Sequence, residues 1–234
     1  ELPQALLAQA AREADTAIIS ICRFSSEGGD RAAAEGDFYL SAGEKRLVQT
    51  VCGAFSKVAV ILNVGGVVDT AWFAANPAIQ AALLAWQGGM EGAMAEADLL
   101  CGDICPSGKL TDTFAASFDD YPSSANFHES EDYVCYTDDI FVGYRYFETI
   151  PGAAEKVIYP FGFGLSYTTF EIVCTNADSD DETIRVTALV KNTGSAAGRE
   201  VVQLYTSASG TNRPKLELRA FQKTALLAPG EAQE

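Results

Sequence analysis

The chain reads TAIISIC over residues 16–22 and RFSSEGGDR over residues 23–31. The first run is apolar and β-branched, which is typical of a buried β-strand. The second run places two arginines, two carboxylates and two adjacent glycines in one tight loop. Open α/β sheets hold their ligands at loops that leave the carboxyl ends of parallel strands. Two interpretations stay open: Arg23 and Arg31 clamp a polar substrate, or the loop is a solvated turn with local ion pairs.

The N-terminal part of the chain repeats strands, glycine-rich turns and helices. Leu and Ala at helical spacing predict a helix over residues 3–14, ahead of the first strand. Ser41 and Glu44 stand three residues apart as a capping box, which predicts the start of a second helix. The alternation of strands and helices indicates a parallel sheet with right-handed crossovers. The remaining predicted elements are strands at 58–64 and 79–86 and helices at about 42–56 and 91–101.

The composition and periodicity of the sequence change in the middle of the chain. A turn at 106–110 leads into a short predicted strand at 110–114. Residues 117–139 are rich in Asp, Ser and Tyr and have the composition of a long loop. Aromatic residues alternate with others over 140–147, which predicts a strand or a hairpin arm.

The C-terminal part has an all-β pattern. Residues 159–167 are rich in glycine and aromatic residues and form a predicted hinge. The short strands and polar turns that follow are typical of a β-sandwich. A turn signal at 229–231 has no predicted strand after it, so we expect this sandwich to be incomplete. The predicted strands are 168–174, 183–191, 200–207 and 215–226.

The net charge restricts the expected partners. With 16 basic and 32 acidic residues the formal net charge is −16, which argues against nucleic acid and anionic membranes. No apolar run approaches the ~20 residues of a transmembrane helix. The glycines match neither GxGxxG nor GxxxxGKS/T, so no nucleotide site is predicted. A neutral ligand such as a sugar fits this charge.

The cysteines and the single histidine indicate no metal and no cofactor. The six cysteines match no zinc signature, and Cys101 and Cys105 have no histidine nearby. His128 receives no role. We expect buried thiols, which favour a reducing, cytoplasmic location over a secreted one.

Five stretches of the chain together resemble the C-terminal half of glycoside hydrolase family 3 enzymes. They occur in the family's order and cover about residues 10–230. The segment 192–205 resembles the fibronectin type III-like domain that ends many of these enzymes. The five stretches are SEGGDR at 26–31, ILNVGG at 61–66, WQGGMEG at 86–92, PSGKL at 106–110 and YPFGFGLSY at 159–167.

The resemblance implies a three-layer α/β sandwich with a mostly parallel sheet at residues 1–160, followed by a fibronectin III-like, all-β sandwich at 161–234. The family includes retaining, exo-acting β-glycosidases of the β-glucosidase type. Their nucleophile is an Asp on a (β/α)8 barrel, which 234 residues cannot hold beside the two domains. We therefore expect the α/β domain to lack its N-terminal part and the sandwich its C-terminal part. We expect no turnover by this chain alone.

The resemblance also implies the role of one loop residue. Glu27 matches the family's general acid/base, and its alternative is a solvated turn carboxylate. The family usually has Gly where this chain has Ser26, a difference that leaves the carboxyl group in place. Asp30 and Arg31 are expected to form an ion pair that shapes the loop.

The candidates for substrate binding are Arg23, Arg31 and Trp86. Trp86 either stacks on a sugar face or packs in the core at the end of a strand. Glu91 is expected in the first turn of a helix, where a carboxylate complements the helix dipole.

Two other functions stay open at this point. A carbohydrate-binding or scaffold module would use the same loop without chemistry, and an unrelated ligand-binding domain would account for the α/β part alone. The partners that the resemblance implies are a β-linked oligosaccharide or glucoside and the barrel domain of the same protein.

Overall fold

The chain forms two compact units that are interleaved along the sequence. The computed structural model describes residues 2–24, 30–180, 182–207, 210 and 212–234. The first unit comprises residues 1–93, 113–139 and 150–159, and the second comprises residues 94–112, 140–149 and 160–234. The domain boundary between residues 160 and 161 stays a prediction.

A parallel sheet with the strand order β1-β2-β3 forms the framework of the first unit. Its strands are β1 (Ala17–Arg23), β2 (Val58–Val64) and β3 (Ile79–Leu84). The helices around it are α1 (Gln4–Glu13), α2 (Ala42–Ala54) and α3 (Ala71–Ala74), and α4 (Gly92–Cys101) follows β3. The predictions of a parallel sheet and of its three strands are confirmed, whereas α3 is an additional short helix. Within the described ranges no helix is long and apolar enough to span a membrane.

The central strand β2 is buried along most of its length. Residues 17–23 of β1 pair in step with residues 58–64 of β2. Val58, Val60 and Val64 are almost completely buried. A strand covered on both faces has no polar side to present, which explains the unbroken apolar run of β2.

The capping box predicted for α2 is present. Ser41 Oγ accepts the main-chain N–H of Glu44 at 3.3 Å, and Glu44 Oε2 accepts the main-chain N–H of Ser41 at 2.8 Å. These two bonds satisfy N–H groups that the first turn of a helix cannot satisfy by itself. Helix α2 then places Val48 and Val51 in the hydrophobic cluster of the sheet.

Antiparallel strands dominate the second unit. Strands β6 (Phe170–Ser179), β7 (Ile184–Asn192) and β10 (Ala232–Gln233) form a sheet in the order β10-β7-β6, and β8 (Val201–Thr206) pairs with β9 (Glu217–Lys223). The four strands predicted in this region are confirmed. The expectation that no strand follows the turn at 229–231 is wrong, because β10 pairs there with β7.

The strand predicted at 140–147 is wrong, because the segment ends in a helix, α5 (Tyr144–Thr149). The prediction applied the two-residue period of a strand to aromatic residues that follow the period of a helix. Tyr144 and Phe147 are three residues apart and therefore lie on one face of a helix. Tyr144 stacks on Phe161 with ring centroids 4.5 Å apart, and Phe147 is buried.

The short strand expected at 110–114 is mostly wrong. Only Phe114 and its neighbour form a strand, β4 (Phe114–Ala115), which pairs with β5 (Val157–Tyr159) in the first unit. The residues before it adopt no regular secondary structure.

The expectation of buried thiols is also wrong. All six cysteines are free, four are exposed and two are partly buried. Cys22 in β1 shows one reason, since it is exposed although Ile21 and Arg23 on either side of it are buried. Successive side chains of a strand point to opposite faces, so apolar neighbours in sequence do not bury a residue on the open face.

The glycine-rich hinge of the second unit depends on close approach of the backbone. A Cβ on Gly164 would overlap the carbonyl oxygen of Gly108, and one on Gly162 would overlap Oε1 of Gln203. Gly162 also has a φ of +78°, a conformation that residues with a Cβ adopt at a cost. The pattern FGFG is therefore a packing requirement of this unit.

Polar contacts reinforce the same region. Lys109 Nζ donates to the carbonyl of Gly164 at 3.0 Å and pairs with Glu200 at 2.8 Å. Gln203 Nε2 donates to the carbonyl of Gly162 at 3.1 Å. The PSGKL turn, the hinge and the beginning of β8 are thus joined within the second unit.

The first prediction concerns Gly164. Because the group that an added methyl would meet is main-chain oxygen, Gly164→Ala is expected to lower the free energy of unfolding by about 3 kcal/mol. The matched control is Gly108→Ala, where an added Cβ meets no atom within 4 Å, and its effect is expected within about 0.5 kcal/mol. Urea unfolding measures both variants. Equal stability of the two would show that the hinge tolerates the methyl group.

Candidate functional site

The candidate site is the carboxyl edge of the parallel sheet. Strands β1 and β2 end side by side, because Arg23 pairs with Val64. Phe24, the first residue beyond β1, is 86% exposed. Open α/β sheets hold their ligands at this edge. Glu27 belongs to residues 25–29, which lie outside the described residues, so its role stays a prediction.

Arg23 ends β1 with a guanidinium that the protein itself occupies. The residue is only 7% exposed. Its N–H groups donate to five acceptors at 2.7–3.3 Å. Because a guanidinium has five N–H groups, all of them are used within the chain. This supports a role of Arg23 in holding the loop, and its substrate-binding role stays a prediction. The acceptors are the main-chain oxygens of Cys22, Asp37 and Tyr39 and the two carboxylate oxygens of Glu44.

Glu44 joins the end of β1 to the start of α2. In addition to Arg23, it binds the main-chain N–H and the hydroxyl of Ser41 at 2.8 and 2.9 Å. The hydrogen bonds from Arg23 outweigh the effect of burial and, with those from Ser41, hold the pKa of Glu44 below its ordinary value of 4.5. One carboxylate therefore completes both an ion pair and a helix cap.

Arg31 pairs with Asp37 at the base of the same loop. The expected pairing of Arg31 with Asp30 is therefore wrong. The second carboxylate oxygen of Asp37 accepts the main-chain N–H of Ala32 at 2.7 Å. Burial raises the pKa of Asp37, but the bonds from Ala32 and Arg31 outweigh it, and the pKa stays below its ordinary value.

The second terminal nitrogen of Arg31 is buried. Nη2 has no hydrogen-bond partner among the residues that the structure describes. The guanidinium lies beside Gly66 near the end of β2, where a Cβ would stand 3.5 Å from Nε. The substrate-binding role of Arg31 stays a prediction, and Nη2 is the group with capacity for it.

The loop after β3 carries Trp86. Its ring is partly buried and packs against the hydrophobic cluster of the sheet, with a backbone φ of +55°. This packing supports the core interpretation, and stacking on a sugar stays a prediction. Glu91 precedes α4 by one residue and is not in its first turn as expected. A Cβ on Gly88 would stand 2.9 Å from Cα of Gly92, so this turn also requires glycine.

Two acidic residues of this edge were not among the sequence candidates. Asp37 follows Gly36, whose φ is +84°, and a Gly-Asp pair between two elements is a signal of a structured turn. Asp69 comes shortly after β2 and accepts the main-chain N–H of Ala71 at 2.9 Å. Burial raises the pKa of the Asp69 carboxyl. The signal in the sequence that could have indicated Asp69 is its place, as a polar residue, shortly after the buried strand β2.

Metal ligands do not cluster in the described part of the chain. No group of three or more His, Cys, Asp or Glu residues is placed there to hold a metal ion. His128 packs edge-on against Phe127 with ring centroids 4.9 Å apart.

Two family profiles match the chain. The "Glycosyl hydrolase family 3 C-terminal domain" matches residues 3–167, and the "Fibronectin type III-like domain" matches residues 200–234. Beta-glucosidase A of Butyrivibrio fibrisolvens is 50% identical over an alignment that covers 99% of this chain and 33% of that protein. The beta-glucosidase of Ruminococcus albus is 44% identical, over 99% of this chain and 24% of its own length.

Solved structures agree with these sequence relatives. A beta-glucosidase from Paenibacillus barengoltzii superposes with a TM-score of 0.94 at 43% identity, over 99% of this chain and 26% of that one. Beta-glucosidase 3B from Thermotoga neapolitana, solved in complex with glucose, gives 0.91 at 42% identity, over 99% and 33%. The predicted fold class, an α/β sandwich followed by a fibronectin-like β region, is confirmed. The chain spans 24–33% of the length of these four proteins.

The second prediction concerns the Arg23–Glu44 pair. Glu44→Gln leaves the buried guanidinium without its anion and is expected to lower the free energy of unfolding by about 2–3 kcal/mol at pH 7. Because the pKa of folded Glu44 lies below 4.5, the stabilisation is complete above that pH and is lost as the pH falls through the folded-state value. The difference between the wild type and the variant should therefore narrow in acid.

Urea unfolding between pH 7 and pH 3 measures this difference. The control is Glu35→Gln, which removes the exposed Lys45–Glu35 pair and is expected to change stability little. A gap for Glu44→Gln that stays constant down to pH 3 would contradict the ion pair as its cause.

Proposed function

Because the chain belongs to glycoside hydrolase family 3, we propose that it is the part of a retaining, exo-acting β-glycosidase that supplies the general acid/base. The complete enzyme hydrolyses O-glycosyl bonds at non-reducing ends of β-glucosides or β-linked oligosaccharides. Glu27 is the acid/base, and the nucleophile is an Asp on a barrel domain outside this chain. The observation that carries the proposal is the SEGGDR loop at the carboxyl end of β1, in a chain 50% identical to a beta-glucosidase.

The chemistry assigns Glu27 two tasks. In the first step it gives its proton to the glycosidic oxygen as that C–O bond breaks, while the Asp carboxylate attacks the anomeric carbon and forms a glycosyl-enzyme. In the second step the Glu27 carboxylate takes a proton from a water molecule. The oxygen of that water attacks the anomeric carbon, and the bond between this carbon and the Asp breaks. The two carboxyl groups of a retaining enzyme stand about 5–5.5 Å apart, so the loop must meet the barrel closely.

The charges around the loop support an acid that holds its proton. An unpaired guanidinium beside a carboxyl group favours the ionised form and lowers its pKa. Here both arginines of the loop have carboxylate partners of their own, Arg23 in Glu44 and Arg31 in Asp37. The positive charge that would hold Glu27 ionised is thus largely compensated.

A binding or scaffold module without chemistry is not favoured. The similarity to proteins named beta-glucosidase extends over 99% of the chain, and the loop keeps a carboxyl group in the acid/base position. We propose a β-glucoside as the substrate, since Beta-glucosidase 3B from Thermotoga neapolitana was solved with glucose.

The third prediction tests Glu27 in the complete enzyme that contains this chain. Loss of the proton donor in Glu27→Gln should lower kcat/KM for an alkyl β-glucoside by about 10²–10⁴-fold. The same variant should retain most of its kcat/KM for 2,4-dinitrophenyl β-glucoside, because so good a leaving group departs without a proton. The ratio kcat/KM is used because it reports the first chemical step.

Asp30→Asn is the control for this experiment. It removes a carboxylate three residues further along the same loop, and we expect it to leave the ratio between the two substrates unchanged. Equal losses on both substrates in Glu27→Gln would refute the acid/base assignment.

A further inference from the structure

We propose that Asp37 is a positioning residue for Glu27, an inference that rests on the acid/base role proposed above. Asp37 is outside the loop that carries Glu27. It acts through the two stems of that loop, which are Arg23 at the end of β1 and Arg31 with Ala32 on the return. Both stems bind this one residue.

The first stem binds the main chain of Asp37. Arg23 Nε donates to the Asp37 carbonyl oxygen at 2.7 Å. The same guanidinium is fixed from the other side by Glu44 at 2.7 and 2.8 Å. The beginning of the loop therefore has a defined position relative to Asp37 and to the start of α2.

The second stem binds the side chain of Asp37. One carboxylate oxygen pairs with Nη1 of Arg31, and the other accepts the main-chain N–H of Ala32 at 2.7 Å. Since residues 24–30 form the whole loop between the stems, its two ends are held by a single amino acid.

Asp37 is itself held by the fold. Its N–H donates to the carbonyl of Ala34 at 3.3 Å, and the next residue, Phe38, is almost completely buried. The Phe38 carbonyl accepts the main-chain N–H of Asp69 at 2.9 Å. The Phe38 ring meets the edges or faces of three aromatic rings, which belong to Tyr39, Phe118 and Tyr121. Asp37 thus transmits the position of a buried turn to the loop.

Such a support is required by the composition of the loop. The sequence between the stems includes Gly28 and Gly29, and glycine has no Cβ to restrict the backbone. A general acid has to stand within about 2.6–3.2 Å of the oxygen that it protonates, and a displacement of about 1 Å can cost about 10²-fold in rate. We therefore assign the positioning of Glu27 to the two stems.

The fourth prediction uses Asp37→Asn in the complete enzyme. The variant keeps the main-chain carbonyl that binds Arg23. Its side-chain amide still has one oxygen to accept the N–H of Ala32, but it lacks the negative charge that pairs with Arg31. We expect kcat/KM for an alkyl β-glucoside to fall about 10–100-fold, and kcat/KM for 2,4-dinitrophenyl β-glucoside to fall less than about threefold. The ratio of the two values is independent of the fraction of folded enzyme, because both substrates are measured on one preparation.

Glu35→Gln is the matched control. It removes a carboxylate two residues away that pairs with exposed Lys45 at 2.7 Å and, among the described residues, makes no hydrogen bond to Arg23, Arg31 or Ala32. Its ratio between the two substrates should equal that of the wild type. Equal losses on both substrates in Asp37→Asn would overturn the proposal, since a residue that only stabilises the fold cannot distinguish leaving groups.

A double variant separates this proposal from the one on which it rests. If Asp37 acts through Glu27, Asp37→Asn adds no further change in the substrate ratio when Glu27 is already Gln. If the changes in the substrate ratio caused by the two single substitutions multiply in the double variant, Asp37 acts independently of Glu27. The positioning role would then be refuted, while the acid/base role would stand. If Glu27→Gln by itself shows no dependence on the leaving group, the proposed function fails, and the positioning role fails with it.

Discussion

One buried guanidinium organises the candidate site. Arg23 leaves no N–H group unpaired, and a buried cation with an unsatisfied donor would be costly. Its five acceptors come from three places in the chain: the end of β1, the turn at residues 37–39 and the first turn of α2. These three segments are fixed relative to one another because each accepts hydrogen bonds from the same planar guanidinium. The cap of α2, the end of β1 and the base of the loop are thus parts of a single hydrogen-bond network.

The two stems of the loop are held by ion pairs and hydrogen bonds to other parts of the chain. Arg23 uses all five of its N–H groups in these contacts, whereas Nη2 of Arg31 is buried without a partner among the described residues. Both arginines have carboxylate partners, Glu44 for Arg23 and Asp37 for Arg31, and these partners compensate their positive charge.

The parts of the fold that local pattern controls were predictable from the sequence. The apolar run of β2 and the Ser41–Glu44 box each depend on neighbouring residues, and both are present. Three other predictions were wrong. Arg31 pairs with Asp37 across a turn and not with its neighbour Asp30, the aromatic residues from Tyr144 follow a helical period, and Cys22 lies on the open face of β1. Glu27 was singled out by resemblance to a family. Asp37, by contrast, was recognisable only after the turn that carries it had been placed beside both stems.

The interleaving of the two units has an evolutionary consequence. The fibronectin-like strands begin after residue 160, but their compact unit also contains residues 94–112 and 140–149. Lys109, the ion-pair partner of Glu200, and Tyr144, whose hydroxyl accepts the main-chain N–H of Leu218 at 2.7 Å, both belong to those earlier segments. A recombination event at residue 160 would carry the strands away without these partners. The β-strands after residue 160 therefore depend on side chains that precede them in the chain.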